Sequence, residues 1–140
     1  MISQALIHVV DDDPLIGLAL AALLRSAGYT ARRFTSPSAF LAAFDAQVPG
    51  CVVSDLVMPQ MSGLELQIAL AAHDYAPPIV FLTGQGDIKS TAQAMKAGAV
   101  DVLCKPVQPE ELLAVVREAV AKDAELRGCT IGRRAVRDVG

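Results

Sequence analysis

The feature that most constrains the fold is a regular alternation of short apolar segments with segments of helical periodicity. Apolar strands that alternate with helices form a parallel sheet covered by helices on both faces, with right-handed crossovers. The sequence therefore predicts an α/β, doubly wound parallel sheet of five strands. The strands are predicted at 6–10, 29–34, 51–55, 79–83 and 102–104.

Capping residues and breakers delimit the helices between these strands. Proline is favoured in the first turn of a helix, Ser and Asp at its N-cap, and glycine just after its end. The second strand is weaker than the others and carries two arginines, which favours an edge position. Helices are predicted at 14–27, from Ser36-Pro37 through Phe44, at 63–73, from an N-cap at Asp87 to Gly98, and from Pro109 to Leu126.

Length and composition indicate one globular domain and exclude several classes of protein. The chain has 140 residues, of which 53% are hydrophobic, and its apolar runs are interrupted before the ~20 residues that span a bilayer. No Lys or Arg precedes the first strand, so no secretory signal is expected, and we predict a cytoplasmic protein without membrane association. The net charge of −3 argues against nucleic-acid binding by this domain itself.

The cysteines and histidines do not predict a metal or disulfide framework. Cys51, Cys104 and Cys129 are far apart and include no C-x-x-C pair, and the first two are interpreted as small strand residues. His8 and His73 lack a partner at metal-ligand spacing, so each is interpreted as a packed or surface histidine. A candidate functional site is therefore expected among other polar residues of the chain.

Charged and hydroxyl side chains stand at the carboxyl ends of four predicted strands. Asp11-Asp12-Asp13 follows the first strand, Asp55 ends the third, Thr83 ends the fourth and Lys105 follows the fifth. Ligands of doubly wound sheets bind at this edge. Carboxylates that converge in a small volume repel one another unless a cation lies among them, and oxygen ligands suit Mg²⁺. We interpret Asp13, taken alone, as a solvated loop residue.

This set of groups matches the requirements of phosphoryl transfer, in which positioning and neutralisation of oxygen charge dominate. An aspartate can attack phosphorus to form an acyl phosphate. Asp55 is the candidate nucleophile, because it stands alone at the end of a central strand and a loop with proline and glycine follows it.

Five motifs in order resemble the receiver domain of bacterial two-component response regulators, over about residues 5–122. The segments at 81–87 and 94–101 look most like the FixJ group, whose receivers usually precede a helix-turn-helix DNA-binding domain. The motifs are V-V-D-D-D-P at 9–14, S-D-L-V-M-P-Q-M-S-G at 54–63, F-L-T-G-Q-G-D at 81–87, A-M-K-A-G-A-V-D at 94–101 and K-P at 105–106.

The resemblance implies a flavodoxin-like, three-layer receiver fold with strand order 2-1-3-4-5, and it assigns roles to individual residues. Asp55 would be the phosphoacceptor, with Mg²⁺ or Mn²⁺ on Asp12 and Asp55, on the backbone carbonyl of Val57, and on Asp11 largely through water. Thr83 and Lys105 would bind the phosphoryl group. The bond between Lys105 and Pro106 is expected to be cis.

The resemblance also implies a switch and its partners. Phosphorylation by a histidine kinase would draw Thr83 inward and shift the fourth helix, and the face of helix four, strand five and helix five would contact an output domain or form a homodimer. Val102 stands where most receivers have Tyr or Phe, and Val57 where the FixJ group often has Arg. Such a domain would not be an enzyme, because it performs only its own phosphorylation and dephosphorylation.

The sequence leaves two alternatives to the receiver of a transcription regulator. Residues 1–122 are predicted to be the receiver and 123–140 a helix extension or linker to an output domain outside this chain, in a transcription regulator; a free-standing receiver acting by protein contacts or phosphorelay is the alternative. A phosphohydrolase of the haloacid dehalogenase type would use Asp11 and Asp13 instead, but the chain is short for that fold and lacks an acidic pair at a strand end after Lys105.

Overall fold

The computed structural model describes residues 5–84 and 88–139, with side chains as far as Gly128. Its five strands form one parallel sheet in the order β2-β1-β3-β4-β5, which confirms the predicted doubly wound fold. The strands are β1 (Leu6–Val10), β2 (Thr30–Phe34), β3 (Gly50–Asp55), β4 (Ile79–Thr83) and β5 (Asp101–Cys104). The helices are α1 (Pro14–Ser26), α2 (Pro37–Ala43), α3 (Gly63–Ala71), α4 (Ile88–Lys96) and α5 (Pro109–Val139).

The three central strands β1, β3 and β4 consist almost entirely of buried residues because helices cover both faces of the sheet. All of β3 and β4 is buried. Alternate residues of β1 belong to different cores: Ile7 and Val9 pack with Leu24 of α1 and Val116 of α5, whereas Val10 packs on the other face. That second core also contains Phe40, Leu66, Leu70, Phe81 and Ala94, from α2, α3, β4 and α4.

Element boundaries lie within a few residues of the predicted ones, with one larger difference. Helix α5 continues to Val139, whereas the sequence predicted it as far as Leu126. The predicted N-cap of α4, Asp87, lies outside the described residues. Among the helices of the described part, none is long and apolar enough to cross a membrane.

The later part of α5 is attached to the base of the sheet by a buried carboxylate, Asp123. Its Oδ2 accepts a hydrogen bond of 2.9 Å from the backbone N–H of Gly50, and its Oδ1 accepts one of 2.7 Å from the hydroxyl of Tyr75. Arg127 donates to both oxygens of Asp123 and to the Val48 carbonyl, at 2.9–3.1 Å. We call Tyr75, Asp123 and Arg127 the α5 anchor.

Candidate functional site

The carboxyl ends of β1, β3 and β5 bring three charged side chains into direct contact. Lys105 Nζ lies 3.0 Å from Asp55 Oδ2 and 3.3 Å from Asp11 Oδ2. Both carboxylates are buried, while the lysine side chain is 22% exposed. A cation that bridges two buried carboxylates compensates their mutual repulsion, so the three residues form one charged unit.

Asp55 is held by the short loop between β3 and α3. Its Oδ1 accepts a hydrogen bond of 3.3 Å from the Val57 N–H. The loop is closed by a hydrogen bond of 2.8 Å from Gly63 N to Leu56 O. Gly63 is required here for close approach, because a Cβ at this position would lie 2.7 Å from Phe81 Cε1 and 2.9 Å from Asp55 O.

Asp11 is fixed by the backbone that enters α1. Its Oδ1 accepts a hydrogen bond of 2.9 Å from the N–H of Asp13. Burial raises the pKa of the Asp11 carboxyl, and the charge of Asp55 raises it further, against the lowering effects of the Asp13 hydrogen bond and of Lys105. The Asp13 N–H and the Lys105 ammonium thus offset only part of the cost of burying this charged carboxylate.

Asp13 has a structural role that the interpretation as a solvated loop residue missed. Its side chain accepts hydrogen bonds from Leu15 N at 2.9 Å and Ile16 N at 3.5 Å, as the N-cap of α1. The signal was present in the sequence, since an aspartate directly before a proline in the first turn is a typical helix start. The cap sets the direction of α1 and of the chain that carries Asp11.

Lys105 follows β5 and is positioned by backbone contacts. Its N–H donates to Thr83 O at 2.7 Å, and the bond to Pro106 is cis, as predicted. Desolvation alone would lower the pKa of the Lys105 ammonium, but the hydrogen bonds and charges of Asp55 and Asp11 raise it above its usual value. The lysine is therefore a permanent cation at this site.

The donor set of the site fits a hard divalent cation. Carboxylate oxygens of Asp11, Asp12 and Asp55 lie within 4.8 Å of one another, and Asp12 is exposed. Oxygen ligands with access to water are what Mg²⁺ prefers. The side chain of Val57 points to solvent, with 64% exposed, and the predicted use of its carbonyl as a ligand stays a prediction.

Of the two predicted switch residues, Thr83 ends β4, and Val102 lies within β5, paired in register with Phe81. Thr83 is buried and pairs in register with Cys104 of β5. Val102 is half-buried and packs against the core cluster that contains Phe81. Cys104 is exposed, whereas Cys51 is buried as a strand residue. Both switch residues therefore face the side of the sheet that α4 covers.

Comparison with known proteins supports a single family. The family model described as "Response regulator receiver domain" matches residues 7–117. The chain is 41% identical over 117 residues to the response regulator protein TmoT of Ectopseudomonas mendocina, covering 84% of this chain and 53% of TmoT. It is 42% identical over 122 residues to the transcriptional regulatory protein FixJ of Azorhizobium caulinodans, covering 85% of this chain and 56% of FixJ. The chain thus spans about half the length of these curated relatives.

Solved structures agree with this result. The response regulator StyR superposes with a TM-score of 0.89 and 39% identity, covering 97% of this chain and 69% of StyR. The structure titled FixJ-N gives a TM-score of 0.79 and 36% identity, covering 86% of this chain and 96% of that one. Receivers are domains of phosphorylation-dependent signalling with an acidic pocket for Mg²⁺, and Asp11, Asp12 and Asp55 form such a pocket here. The chain belongs to the response regulator receiver domain family, with relatives of the FixJ type.

Proposed function

We propose that this chain accepts a phosphoryl group on Asp55 and passes the signal on by a change in its surface. The observation that carries the proposal is the ion pair of Asp55 with Lys105, a lysine that also pairs with the buried Asp11 at the convergent ends of three strands. A surface carboxylate would not need a neutralising lysine held by a second aspartate. The arrangement is expected for a group that must receive negative charge.

In the proposed step, a carboxylate oxygen of Asp55 forms a bond to phosphorus as the bond between phosphorus and the donor breaks. The donor is a phosphohistidine of a kinase or a small acyl phosphate, and the electron pair leaves with the donor atom. The Nζ of Lys105 already lies 3.0 Å from Asp55 Oδ2, within reach of an oxygen of the incoming group. Lys105 would therefore stabilise charge that develops on the phosphoryl oxygens.

We further propose that Asp11, Asp12 and Asp55 hold Mg²⁺ or Mn²⁺ together with the Val57 carbonyl. When bound, the ion neutralises phosphoryl oxygen charge and orients the group. Asp11 keeps its place through the Asp13 N–H, whereas Asp12 is exposed, so its carboxylate would be the cation ligand on the solvent side. The chain itself thus supplies one fixed and one accessible carboxylate beside the nucleophile.

The proposed switch couples Thr83 to the face of α4 and β5. Thr83 is buried at the end of β4, where its hydroxyl would hydrogen-bond a phosphoryl oxygen on Asp55. Val102, on the neighbouring strand, would respond to that movement through packing alone, because valine has few rotamers and no hydroxyl. In this chain the response would therefore depend more on α4 than on rotation of a large side chain on β5.

The deciding experiment is the mass of the intact protein after incubation with acetyl phosphate and Mg²⁺. We expect one added phosphoryl group that is labile to hydroxylamine. The group should not form when chelator replaces Mg²⁺, and it should be absent from Asp55→Asn. Asp13→Asn is the matched control, because it changes a neighbouring aspartate but keeps a helix N-cap. A phosphoryl group retained in Asp55→Asn would contradict the proposal and point to Asp11, as a phosphohydrolase of the haloacid dehalogenase type requires.

We also propose that a histidine kinase is the donor and that the parent protein is a DNA-binding transcription regulator of the cytoplasm. This is supported by relatives about twice as long that are named transcriptional regulatory proteins, FixJ and TdiR. Residues 1–122 would form the receiver and 123–140 the connection to the output domain. The chain would act by its own phosphorylation state and would not turn over a separate substrate.

The face of α4, β5 and α5 is the proposed contact surface for a second copy. Ile88 and Met95 of α4 are large, apolar and exposed. Light scattering after size exclusion, with and without acetyl phosphate, should show a dimer only in the phosphorylated sample. Met95→Asp should abolish that dimer while leaving phosphoryl uptake intact, and an unchanged mass of the native chain at high concentration would contradict dimerisation.

A further inference from the structure

Helix α4 is attached to the rest of the domain by few contacts. Within Ile88–Lys96, all of which the structure describes, Ala94 is the one buried residue. A groove of about 430 Å³ separates the outer faces of α3 and α4. Because apolar packing is sparse, the position of α4 depends on specific hydrogen bonds. The groove is lined by Leu64, Gln67, Ile68, Gln93, Lys96 and Ala97.

One buried side chain of α3 makes such a hydrogen bond. Gln67 is 8% exposed, and its Nε2 donates to the carbonyl oxygen of Ala94 at 3.1 Å. The same oxygen accepts a bond of 3.0 Å from Ala99 N, which closes the end of α4. A carbonyl in the last turn of α4 is therefore held both by its own chain and by a different helix.

Burial is unevenly distributed along the length of α4. Just after the helix, Gly98 adopts a positive φ of 104°, Ala99 is buried, and Val100 N donates to Ile79 O of β4 at 2.8 Å. By contrast, residues 88–93 are exposed or half-buried. The C-terminal end of α4 is thus joined to both α3 and β4, whereas its N-terminal half has little buried area.

We infer that Gln67 is a positioning residue that fixes the C-terminal end of α4, so that α4 changes position by turning about that end. Gln67 lies on the helix that begins directly after the loop of Asp55. The part of this inference that concerns movement rests on the proposed function. The part that concerns attachment rests only on the contacts of Gln67.

Attachment is tested by amide hydrogen exchange of the unphosphorylated protein. Gln67→Met keeps the length and volume of the side chain but removes the donor, and loss of one such bond should accelerate exchange of residues 97–100 about fivefold. Gln93→Met is the matched control, because Gln93 is exposed in the same groove, and it should leave exchange unchanged. Gln67→Leu, which also lacks the donor, should repeat the result if the methionine variant folds poorly.

Two results would overturn the attachment. One is unchanged exchange at 97–100, and the other is an equal acceleration of amides in β3 and β4, since Gln67 would then be an ordinary packing residue.

Movement is tested by repeating the measurement with acetyl phosphate and Mg²⁺. The native chain should change mainly at 88–93, and Gln67→Met should extend the change through residues 94–100.

Equal changes at both ends of α4 in the native chain would overturn turning about the C-terminal end. The intact mass is recorded in the same samples. If no phosphoryl group is added, the proposed function fails, while the exchange of the unphosphorylated protein still decides whether Gln67 fixes α4.

Discussion

Lys105 would compete with a divalent cation in the proposed cation site, because both bind the same carboxylates. Its Nζ lies 3.0 Å from Asp55 and 3.3 Å from Asp11, which are two of the three carboxylates of the acidic cluster. Removal of the lysine charge leaves these carboxylates uncompensated, so we expect Lys105→Met to bind Mg²⁺ about tenfold more tightly while accepting phosphate more slowly. Titration calorimetry at fixed ionic strength measures the affinity.

Lys96→Met is the control for this prediction, because Lys96 carries the same charge on the exposed surface of α4. It should leave Mg²⁺ affinity nearly unchanged. Weaker Mg²⁺ binding by Lys105→Met would show that the lysine supports the cation site and does not compete with it.

A second prediction at the scale of one residue concerns His8, whose ring packs among Phe34, Phe40 and Phe44. Burial, with a smaller contribution from the charge of Arg32, lowers the pKa of His8 to about 4 from 6.5. Between these values the unfolded chain binds a proton that the folded chain does not, so the free energy of unfolding decreases as pH falls. From pH 7 to pH 5 the loss due to His8 should be about 2 kcal/mol.

Urea unfolding of the native chain and of His8→Leu at both pH values isolates this contribution. The variant should lose less stability on acidification than the native chain, by about 2 kcal/mol. Parallel pH profiles of unfolding free energy for the native chain and His8→Leu would contradict a lowered pKa of the His8 imidazole in the folded state.

At the scale of the elements, the start of α1 contains a structural aspartate next to two aspartates of the candidate site. Asp13 caps the helix through Leu15 N and Ile16 N. Asp13→Ala should reduce the free energy of unfolding by about 1 kcal/mol and leave phosphoryl uptake intact, whereas Asp13→Ser should restore most of the stability. If Asp13→Ala stopped phosphoryl uptake at full stability, Asp13 would belong to the cation site.

The start of α3 is predicted to be intolerant of any side chain at Gly63. A Cβ would lie 2.7 Å from Phe81 Cε1 and 2.9 Å from Leu56 Cα, so Gly63→Ala must displace the loop that carries Asp55. We expect a loss of about 1–3 kcal/mol in unfolding free energy and slower phosphoryl uptake. Gly17→Ala is the control, because its nearest contact would be 3.9 Å away, and its stability should be equal or higher.

The elements, and the placement of the candidate site residues at strand ends, were predictable from sequence because their signals are local. Strand hydrophobicity, helix caps and polar residues at strand ends each occur within a few positions, and the doubly wound order then brings the strand ends together. The strand β4 was predicted with its observed boundaries, Ile79–Thr83. The direct bond of Lys105 to Asp11, 94 residues away, needed the register of the sheet as well.

At the scale of the whole molecule, the contacts that escaped prediction join distant parts of the chain through side chains without a motif. Gln67 and Ala94 are 27 residues apart, Tyr75 and Asp123 are 48 apart, and Gly50 and Asp123 are 73 apart. Asp123 and Arg127 look like ordinary surface charges on a basic helix when read in sequence. Their interpretation as parts of a helix extension or linker did not include the buried environment of the Asp123 carboxylate.

The α5 anchor predicts where the compact domain ends. Asp123 is buried and accepts hydrogen bonds from Gly50, Tyr75 and Arg127, and burial together with the bond to Asp123 raises the pKa of the Tyr75 hydroxyl, which stays protonated as a donor. Removal of one partner of a buried, hydrogen-bonded ion pair typically costs about 3 kcal/mol or more. We therefore expect Asp123→Ala, and a chain shortened after Lys122, to lose about 3 kcal/mol of unfolding free energy.

A chain shortened after Gly128 keeps the whole anchor and should retain the stability of the full chain. Glu125→Ala, which removes an exposed carboxylate from the same turn of α5, should change it by less than about 0.5 kcal/mol. Urea unfolding of the four proteins beside the native chain gives the comparison. If the chain ending at Lys122 were as stable as the one ending at Gly128, the anchor would contribute nothing to the receiver. The helix beyond 122 would then be a linker, as the sequence alone predicts; the opposite result extends the structural unit to Arg127.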